Sequence, residues 1–288
     1  IYAIFLLAWF TRAYWQKQTW ARPALILGIL GFLAAVVWGG LLPRLDGRLR
    51  LTLWAEGGRP AVLARLPGGE SLLIQSGLPS RDLIPRASQE LAFVDPRADA
   101  LVLASSAPQA LDDLTNLAGR IRPLGVYWPW PLRNTRTAAI VYEELKAQEA
   151  VPQWMEAGQA LTAAGDPPLL VTLAAAKAEC PAYLLTYGNL RLLLPGCWQA
   201  QPLLEKTMLE LRQPAVLVLG EENWTVDSPA DWLAYQPGCV LWAGPGTPPE
   251  GITAFDCWQV LGLEGTRFLS DGQSLFNPGL QNIPDFVK

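Results

Sequence analysis

The sequence contains no histidine among its 288 residues. Histidine is the commonest metal ligand, and its ordinary pKa lies near neutral pH. Its absence therefore excludes the usual zinc sites and the usual general base. The cysteines are too few and too scattered for a zinc site built from Cys-x-x-Cys pairs. They stand at positions 180, 197, 239 and 257. Cysteines of this kind are typically small buried core residues, and disulfide bonds outside the cytoplasm are the alternative.

Charged residues are also scarce, at 17% of the chain, whereas apolar residues make up 51%. Such a composition is rich in apolar residues for a wholly soluble protein and leaves room for a membrane segment. Residues 23–43 contain no charged side chain, and a run of about 20 apolar residues is long enough to cross the hydrocarbon core. Tryptophans stand on both sides of its middle, at positions 15, 20 and 38, as at membrane interfaces. The pattern predicts a transmembrane helix at 23–43.

Two segments precede this helix. Residues 1–11 are typical of the end of a membrane helix that starts upstream, and residues 12–22 form a basic loop with three basic residues and no acid. The positive-inside rule places such a loop in the cytoplasm, so the residues after 43 are expected outside, although three arginines just after the helix weaken this inference. Residues 44–288 hold 19 Lys and Arg against 26 Asp and Glu, a net charge of −7. We therefore expect DNA contact by this part to be weak or absent.

The most informative stretch lies at residues 99–114. Residues 100–104 are a short apolar run that suits a strand buried on both faces. Ser106 and Gln109 have the spacing of a capping box, which predicts the start of a helix. The loop between a buried strand and a helix is where α/β proteins usually place their chemistry. This loop offers two hydroxyls and one amide, and no acid before Asp112.

The stretch resembles the metal-binding loop of the metallo-β-lactamase fold, in the form found in ComEC-type competence proteins, which import DNA through bacterial membranes. That family has a strand, then Thr-His-x-His-x-Asp-His, then Ile-Gly-Gly-Leu. Laid on this chain without a gap, the family's metal ligands correspond to residues that are not histidine or aspartate. They are Ser105, Ala107, Gln109 and Ala110. The two glycines of the family correspond to Asp112 and Asp113.

Other motifs follow in the family's order. The acid of an early Asp-Val-Gly-Gln-Gly-Asp-Ala motif corresponds to Ala55, and the acid that closes the next hairpin corresponds to Gln75. The family's Leu-Leu-Thr-Gly-Asp ends in an Asp that bridges two metals, and here Cys197 stands in its place. Its His-His-Gly-Ser falls near residues 220–223, and its closing Asp-Gly turn near residues 271–272. The resemblance thus implies that the backbone of the metal pocket is kept and that its metal ligands are missing.

The resemblance implies an α/β fold, a metallo-β-lactamase-like αββα sandwich over residues 44–288, preceded by a transmembrane helix. Strands at 49–53, 61–64, 71–74, 100–104 and 182–194 are then expected in two facing sheets with helices outside. We expect a non-catalytic domain, a pseudoenzyme, in a ComEC-like membrane protein. Its expected role is structural or docking in DNA uptake, outside the cytoplasm, with the membrane and other DNA-uptake components as partners. Zinc and other divalent metals are expected to be absent.

Two alternatives stay open. One is a metal-dependent hydrolase or nuclease with an unconventional site of carboxylates, because Mg²⁺ accepts oxygen ligands. The acids available for it are Asp112, Asp113, Glu221 and Glu222. Acids in the first turn of a helix and solvated loop acids explain the same residues more simply. The other alternative is a sensory or binding ectodomain that is unrelated to DNA.

Overall fold

The chain divides into two compact units in the computed structural model, Ile1–Asp46 and Gly47–Lys288. Among the described residues, no helix is both long and apolar enough to cross a membrane. The predicted segments at 1–11, 12–22 and 23–43 lie outside the described residues, except for three exposed helical positions, 28, 30 and 31. In full, the structure describes residues 28, 30–31, 47–91, 97–105, 107–129, 136–176, 181–200, 203, 215–224 and 228–277.

The second unit is built on strands that form two sheets. In chain order these strands are β1 (Leu49–Glu56), β2 (Arg59–Arg65), β3 (Ser71–Gln75), β4 (Ala100–Leu103), β5 (Gly125–Pro129), β6 (Pro152–Met155), β7 (Ala160–Ala163), β8 (Leu169–Ala175), β9 (Ala182–Tyr187), β10 (Leu190–Leu194), β11 (Val216–Leu219), β12 (Cys239–Trp242), β13 (Trp258–Val260), β14 (Thr266–Ser270) and β15 (Leu275–Phe276). The first sheet has the order β15-β14-β1-β2-β3-β4-β5-β6, and the second has the order β13-β12-β11-β10-β9-β8-β7. The strands expected in two sheets from the sequence are all present.

Alternation along the strands explains why the sheets face each other. In β1 the three leucines at 49, 51 and 53 lie in the core between the sheets, whereas Trp54 points to the opposite face. A strand rich in apolar residues at every position is buried on both faces, as predicted for residues 100–104. In β4, Val102 lies in the core between the sheets and Leu101 lies in the core on the outer face. The sequence pattern thus determines the two faces of each strand.

Helices cover both outer faces. The first sheet carries α1 (Ser80–Glu90), α2 (Pro108–Ile121) and α3 (Arg136–Ala147), which contribute to one outer core. The second sheet carries α4 (Ser228–Leu233) and a short 3-10 helix, Glu250–Ala254, which contribute to another. The result is a four-layer αββα sandwich, so the predicted α/β sandwich is confirmed, whereas the transmembrane helix expected before it stays a prediction.

The second sheet is cross-linked by a disulfide bond. Cys239, the first residue of β12, is bonded to Cys257, which precedes the neighbouring strand β13. Both residues are buried in the core between the sheets. The prediction that these cysteines are buried in the core is confirmed, but they are bonded to each other and not plain core residues, because the parallel pairing of β12 and β13 brings the two side chains together. The alternative of disulfide bonds is the one that the structure contains.

Candidate functional site

A cavity of about 150 Å³ opens at one edge of the sandwich. Parallel strands β3 and β4 of the first sheet end there, as do β10 and β11 of the second. Loops that leave the carboxyl ends of such strands are the usual place for ligands in α/β proteins. Its lining includes Arg59, Gly77, Ser105, Ala107, Ala110, Cys197, Gly220, Glu222 and Asn223.

The loop between β4 and α2 supplies one wall. The backbone N–H of Ala107 donates a hydrogen bond to Ser105 Oγ at 3.3 Å, so this hydroxyl is used to shape the loop. The helix begins at Pro108, with Ala107 at the N-cap and no hydrogen bond from a capping side chain. The predicted capping box is therefore wrong, because proline at the first position presets the helical backbone without one. Ser106 and the side chain of Gln109 lie outside the described residues.

Four of the predicted pocket positions line this one cavity. Ser105, Ala107 and Ala110 belong to the wall after β4, and Cys197 belongs to the loop after β10. Cys197 is in a disulfide bond, so it offers no thiolate to a metal. The prediction that Cys197 is a plain rim or core cysteine is therefore wrong, because its sulfur is bonded to another cysteine.

Two further predicted positions are close in sequence to the lining and do not belong to it. Gln75 ends β3 and is fully buried, and its Nε2 donates a hydrogen bond to the carbonyl of Leu78 at 3.3 Å. Its Oε1 accepts no hydrogen bond from the described residues. Ala55 is buried in the core between the sheets, where its backbone N–H donates to Gly262. Both positions thus support the sheet beneath the cavity.

Three of the four acids of the alternative site have described side chains, and these three do not converge. Glu222 lines the cavity, whereas the exposed Glu221 beside it does not. Asp113 points to α1, where its Oδ1 accepts a hydrogen bond from Ser80 Oγ at 2.7 Å. The side chain of Asp112 lies outside the described residues. Adjacent acids on a short helix turn diverge, which is why the sequence pair does not make a chelating pair.

The charges at the cavity come from two side chains of opposite sign among the described lining residues, Arg59 and Glu222. Gly77 lies between Arg59 and Ser105. A Cβ added to Gly77 would lie 3.6 Å from Arg59 Cδ and 3.8 Å from Ser105 Oγ, so the side chains of Arg59 and Ser105 flank one small opening. The opening is polar and close to neutral overall. Nothing in this set of groups requires a divalent cation for charge balance.

Asn223 was not singled out by the sequence, and it holds two walls of the cavity together. Its side chain is buried, and its Oδ1 accepts a hydrogen bond from Gly220 N–H at 2.7 Å. Its Nδ2 donates to the carbonyls of Gly196 at 2.7 Å and Trp198 at 2.9 Å. We call this arrangement the Asn223 clamp. It joins the loop after β11 to the loop after β10.

A tyrosine ties the two sheets together below the cavity. Tyr183 on β9 is fully buried, and its hydroxyl donates a hydrogen bond to the carbonyl of Leu103 on β4 at 3.0 Å. Burial raises the pKa of Tyr183 far above its ordinary value, so the hydroxyl stays a neutral donor at physiological pH. The backbone at the cavity floor is thereby held across the sandwich.

Comparison with solved structures identifies the architecture. The metallo-β-lactamase-fold protein YhfI from Bacillus subtilis aligns with a TM-score of 0.53 and 14% identity, over 78% of this chain and 100% of that protein. Zinc-bound PqqB from Methylobacterium extorquens aligns with a TM-score of 0.52 and 15% identity, over 74% of this chain and 97% of that protein. This chain has the metallo-β-lactamase fold. No protein-family model matches the sequence, and no curated protein matches it either.

The residues that line the cavity do not fit the metal ions that the resemblance implies. A catalytic zinc site takes about three protein ligands, and a two-metal site needs more. The described cavity lining offers one carboxylate, Glu222, together with hydroxyls and a cysteine that is already bonded. In the described part of the chain, no three His, Cys, Asp or Glu side chains come together as a metal site would need.

Proposed function

We propose that this chain is a non-catalytic metallo-β-lactamase-fold domain of a ComEC-like membrane protein, with a structural or docking role in DNA uptake. One observation carries the non-catalytic part of the proposal. The cavity at the carboxyl ends of the strands is lined at the family's ligand positions by Ser105, Ala107, Ala110 and a disulfide-bonded Cys197. Hydrolysis by paired metals needs ligands that generate hydroxide and hold a phosphate, and these side chains supply neither.

The disulfide bonds support a location outside the cytoplasm. Cys197 and the pair Cys239–Cys257 are all oxidised, and structural disulfides persist in oxidising compartments. The order of the chain agrees with this location, because the domain follows the uncharged segment at 23–43 and the basic loop before it. We propose a domain tethered to the outer side of the cell membrane, with other DNA-uptake components as its partners.

A second candidate function rests on one residue. Glu222 lines the cavity with its carboxylate, so a metal-dependent hydrolase that uses this acid is the alternative. The neighbouring Glu221 lies outside the lining and has the same exposed character, which makes it a matched control.

The test uses the full chain, purified in mild detergent without a reductant. We expect no cleavage of single- or double-stranded DNA with Mg²⁺, Mn²⁺ or Zn²⁺, and a melting temperature that does not change on addition of a chelator. Cleavage that Glu222→Gln abolishes and Glu221→Gln preserves would establish the hydrolase instead. A fall of several degrees on chelation would indicate a structural metal and refute the metal-free domain.

The proposed role has a separate test in the organism of origin. Deletion of residues 44–288 is expected to lower the frequency of natural transformation, whereas Glu222→Gln is expected to leave it unchanged. A deletion that has no effect on transformation would refute a role in DNA uptake, whatever the result of the cleavage assay.

A further inference from the structure

Strand β13 is the last strand of the second sheet, and only one of its sides is paired with another described strand. Its pairing with β12 extends one residue beyond each end of the strand. The carbonyl of Cys257 accepts a hydrogen bond from Val240 N–H at 2.9 Å, and the N–H of Leu261 donates to the carbonyl of Trp242 at 2.8 Å. We call residues 257–261 the β13 edge. It is an extended segment about 16 Å long.

The backbone of the β13 edge carries hydrogen-bonding groups that point away from the sheet. Successive residues of a strand direct their N–H and C=O to opposite sides. Because Cys257 and Leu261 bond to β12, the N–H and C=O groups of Trp258 and Val260 lie on the other side. Among the described residues these groups have no hydrogen-bond partner. The β13 edge can therefore accept a further strand through regular backbone hydrogen bonds.

The side chains of the β13 edge are apolar and accessible. Trp258 pairs with Val240, and Val260 pairs with Trp242. These two partners lie in the outer core of the second sheet, so Trp258 and Val260 face the same outer side. There they remain 40% and 42% exposed. Residues 257–261 contain no charged side chain and no proline, the two features that most often protect an edge strand from pairing.

The other three edges of the two described sheets are less suited to accept a strand. Strand β6 begins with a proline, Pro152, and β15 has only two residues. The exposed side chains of β7 are those of Ala160 and Thr162, which add little apolar surface. Among the described strands, the β13 edge thus combines sufficient length with large exposed apolar side chains.

The charge that precedes the β13 edge is negative. Glu250 and Asp256 are exposed, and in the described part of the chain their carboxylates make no ion pair and no hydrogen bond. Residues 243–266 contain these two acids and Glu264, and no lysine or arginine. We leave Glu264 out of the charge balance, because Arg86 donates a hydrogen bond to the carbonyl of the preceding residue at 2.5 Å. A positive charge on the incoming strand is therefore favoured beside Asp256.

We propose that the β13 edge binds an extended segment of a partner protein by strand addition, and that this segment is apolar at alternate positions and basic at one end. The inference rests on the proposed function, because it assigns the docking role to a defined surface. Backbone hydrogen bonds hold the segment, and its apolar side chains pack beside Trp258 and Val260. The basic end of the segment lies beside Asp256.

A second copy of this chain is the competing occupant, and two features disfavour it. The β13 edge is far shorter than the about 20 residues that each partner contributes to a stable interface. Pairing of two such edges would also place two acidic flanks along one interface, and residues 243–266 contain no basic side chain to balance them. A basic segment of another protein meets neither difficulty.

The experiment measures the binding of a short labelled peptide to the full chain in mild detergent without a reductant, by fluorescence anisotropy. The peptide alternates threonine and valine between two terminal lysines, so either strand direction places a lysine near Asp256. We expect saturable binding that becomes about fivefold weaker when both lysines are replaced by glutamate, because an attraction turns into a repulsion. A peptide with proline in place of each valine keeps the charge but lacks the N–H groups, and it should not bind.

A proline variant tests the backbone of the β13 edge. Val260→Pro removes an N–H that points away from β12, so the hydrogen bonds of the second sheet are kept, and binding of the lysine peptide should fall at least about tenfold. Thr162→Pro is the matched control at the opposite edge of the same sheet. The carbonyl of Gln159 accepts a hydrogen bond from Leu173 N–H on β8, so by alternation the N–H of Thr162 also points away from its neighbour. This variant should bind the peptide like the parent.

Charge variants and hydrogen exchange test the proposal without proline. Glu250→Gln with Asp256→Asn should weaken binding about threefold, and this difference should disappear at about 1 M salt. Glu144→Gln with Glu149→Gln removes equal charge from exposed positions on and after α3 and should have no effect. In the parent, saturating peptide should slow hydrogen exchange of the amides at 257–261 and leave those at 159–163 unchanged.

The possible failures are distinguishable. The absence of saturable binding, equal losses in the two proline variants, or equal losses in the two charge variants would overturn the proposal. A dimer that Val260→Pro prevents, in a chain that does not bind the peptide, would overturn it in favour of a second copy. None of these results bears on the cleavage, chelation and transformation tests of the proposed function. A deletion of residues 44–288 without effect on transformation would conversely refute that function and leave peptide binding intact.

Discussion

Replacement of Asn223 by alanine removes the clamp between two walls of the cavity. With the described residues, the buried side-chain amide makes three hydrogen bonds, one accepted from Gly220 and two donated to Gly196 and Trp198, at 2.7 to 2.9 Å. Each bond contributes about 1 kcal/mol to the free energy of unfolding, so we expect a loss of about 3 kcal/mol. In the alanine variant, the Gly220 N–H and the carbonyls of Gly196 and Trp198 stay desolvated without a partner. This cost is the reason why we do not expect a smaller loss.

Replacement by aspartate tests the geometry of the clamp and not only its presence. A carboxylate keeps the acceptor for Gly220 N–H, but it turns an oxygen toward the two carbonyls that Asn223 Nδ2 contacts. Asn223→Asp should therefore be less stable than Asn223→Ala at about pH 7. Burial and the facing carbonyls raise the pKa of the new acid in the folded state. The deficit relative to the parent should accordingly shrink as the pH falls and the acid is protonated.

The assay is urea unfolding of the full chain in mild detergent, followed by tryptophan fluorescence. A loss of about 3 kcal/mol moves the midpoint down by about 1 M when the slope is about 3 kcal/mol/M. Asn116→Ala is the matched control, because Asn116 is exposed on α2 and its replacement should stay within about 0.5 kcal/mol of the parent. Asn223→Ala with a loss below about 1 kcal/mol, or Asn223→Asp more stable than Asn223→Ala at neutral pH, would refute the clamp.

Two further predictions concern hairpin turns of the sandwich. Gly188→Ala should lower the free energy of unfolding by more than about 2 kcal/mol, because Gly188 has φ +57° and its added Cβ would lie 2.3 Å from the Gly272 carbonyl oxygen. Gly69→Ala, at φ +94° with open space around it, should show only the left-handed strain of about 1 kcal/mol, and equal losses in thermal unfolding would contradict the clash. Asp271 accepts backbone hydrogen bonds, that of Ser274 first, which lower its pKa below 3.8. Its stabilising effect is therefore complete above that value and lost as pH falls through the lower folded-state pKa, so the gap in melting temperature between the parent and Asp271→Asn should close toward about pH 2, and a gap independent of pH would contradict this.

Local pattern was enough to predict individual strands, since alternation and short apolar runs are properties of neighbouring residues, whereas their arrangement in a sandwich was implied by the family resemblance. The leucines of β1 and the apolar residues of β4 lie on the faces that their spacing predicts. Helix α1 was not predicted, because Pro85 lies inside it and proline normally ends a helix. Tertiary packing of Leu83 and Ala87 against the first sheet overrides that local signal.

The absence of histidine is a property of composition, so the sequence by itself determined that a histidine metal site is missing. Which residues meet at the cavity is a different matter, because it depends on loops that are distant in the chain and close at one sheet edge. Gln75 and Ala55 are near the lining in sequence and stay beneath it, whereas Asn223 joins it. The register of β15, β14 and β1 likewise brings Phe276 next to Arg48, more than two hundred positions earlier in the chain. Pairing across such separations is decided by the whole packed sheet, and no local pattern encodes it.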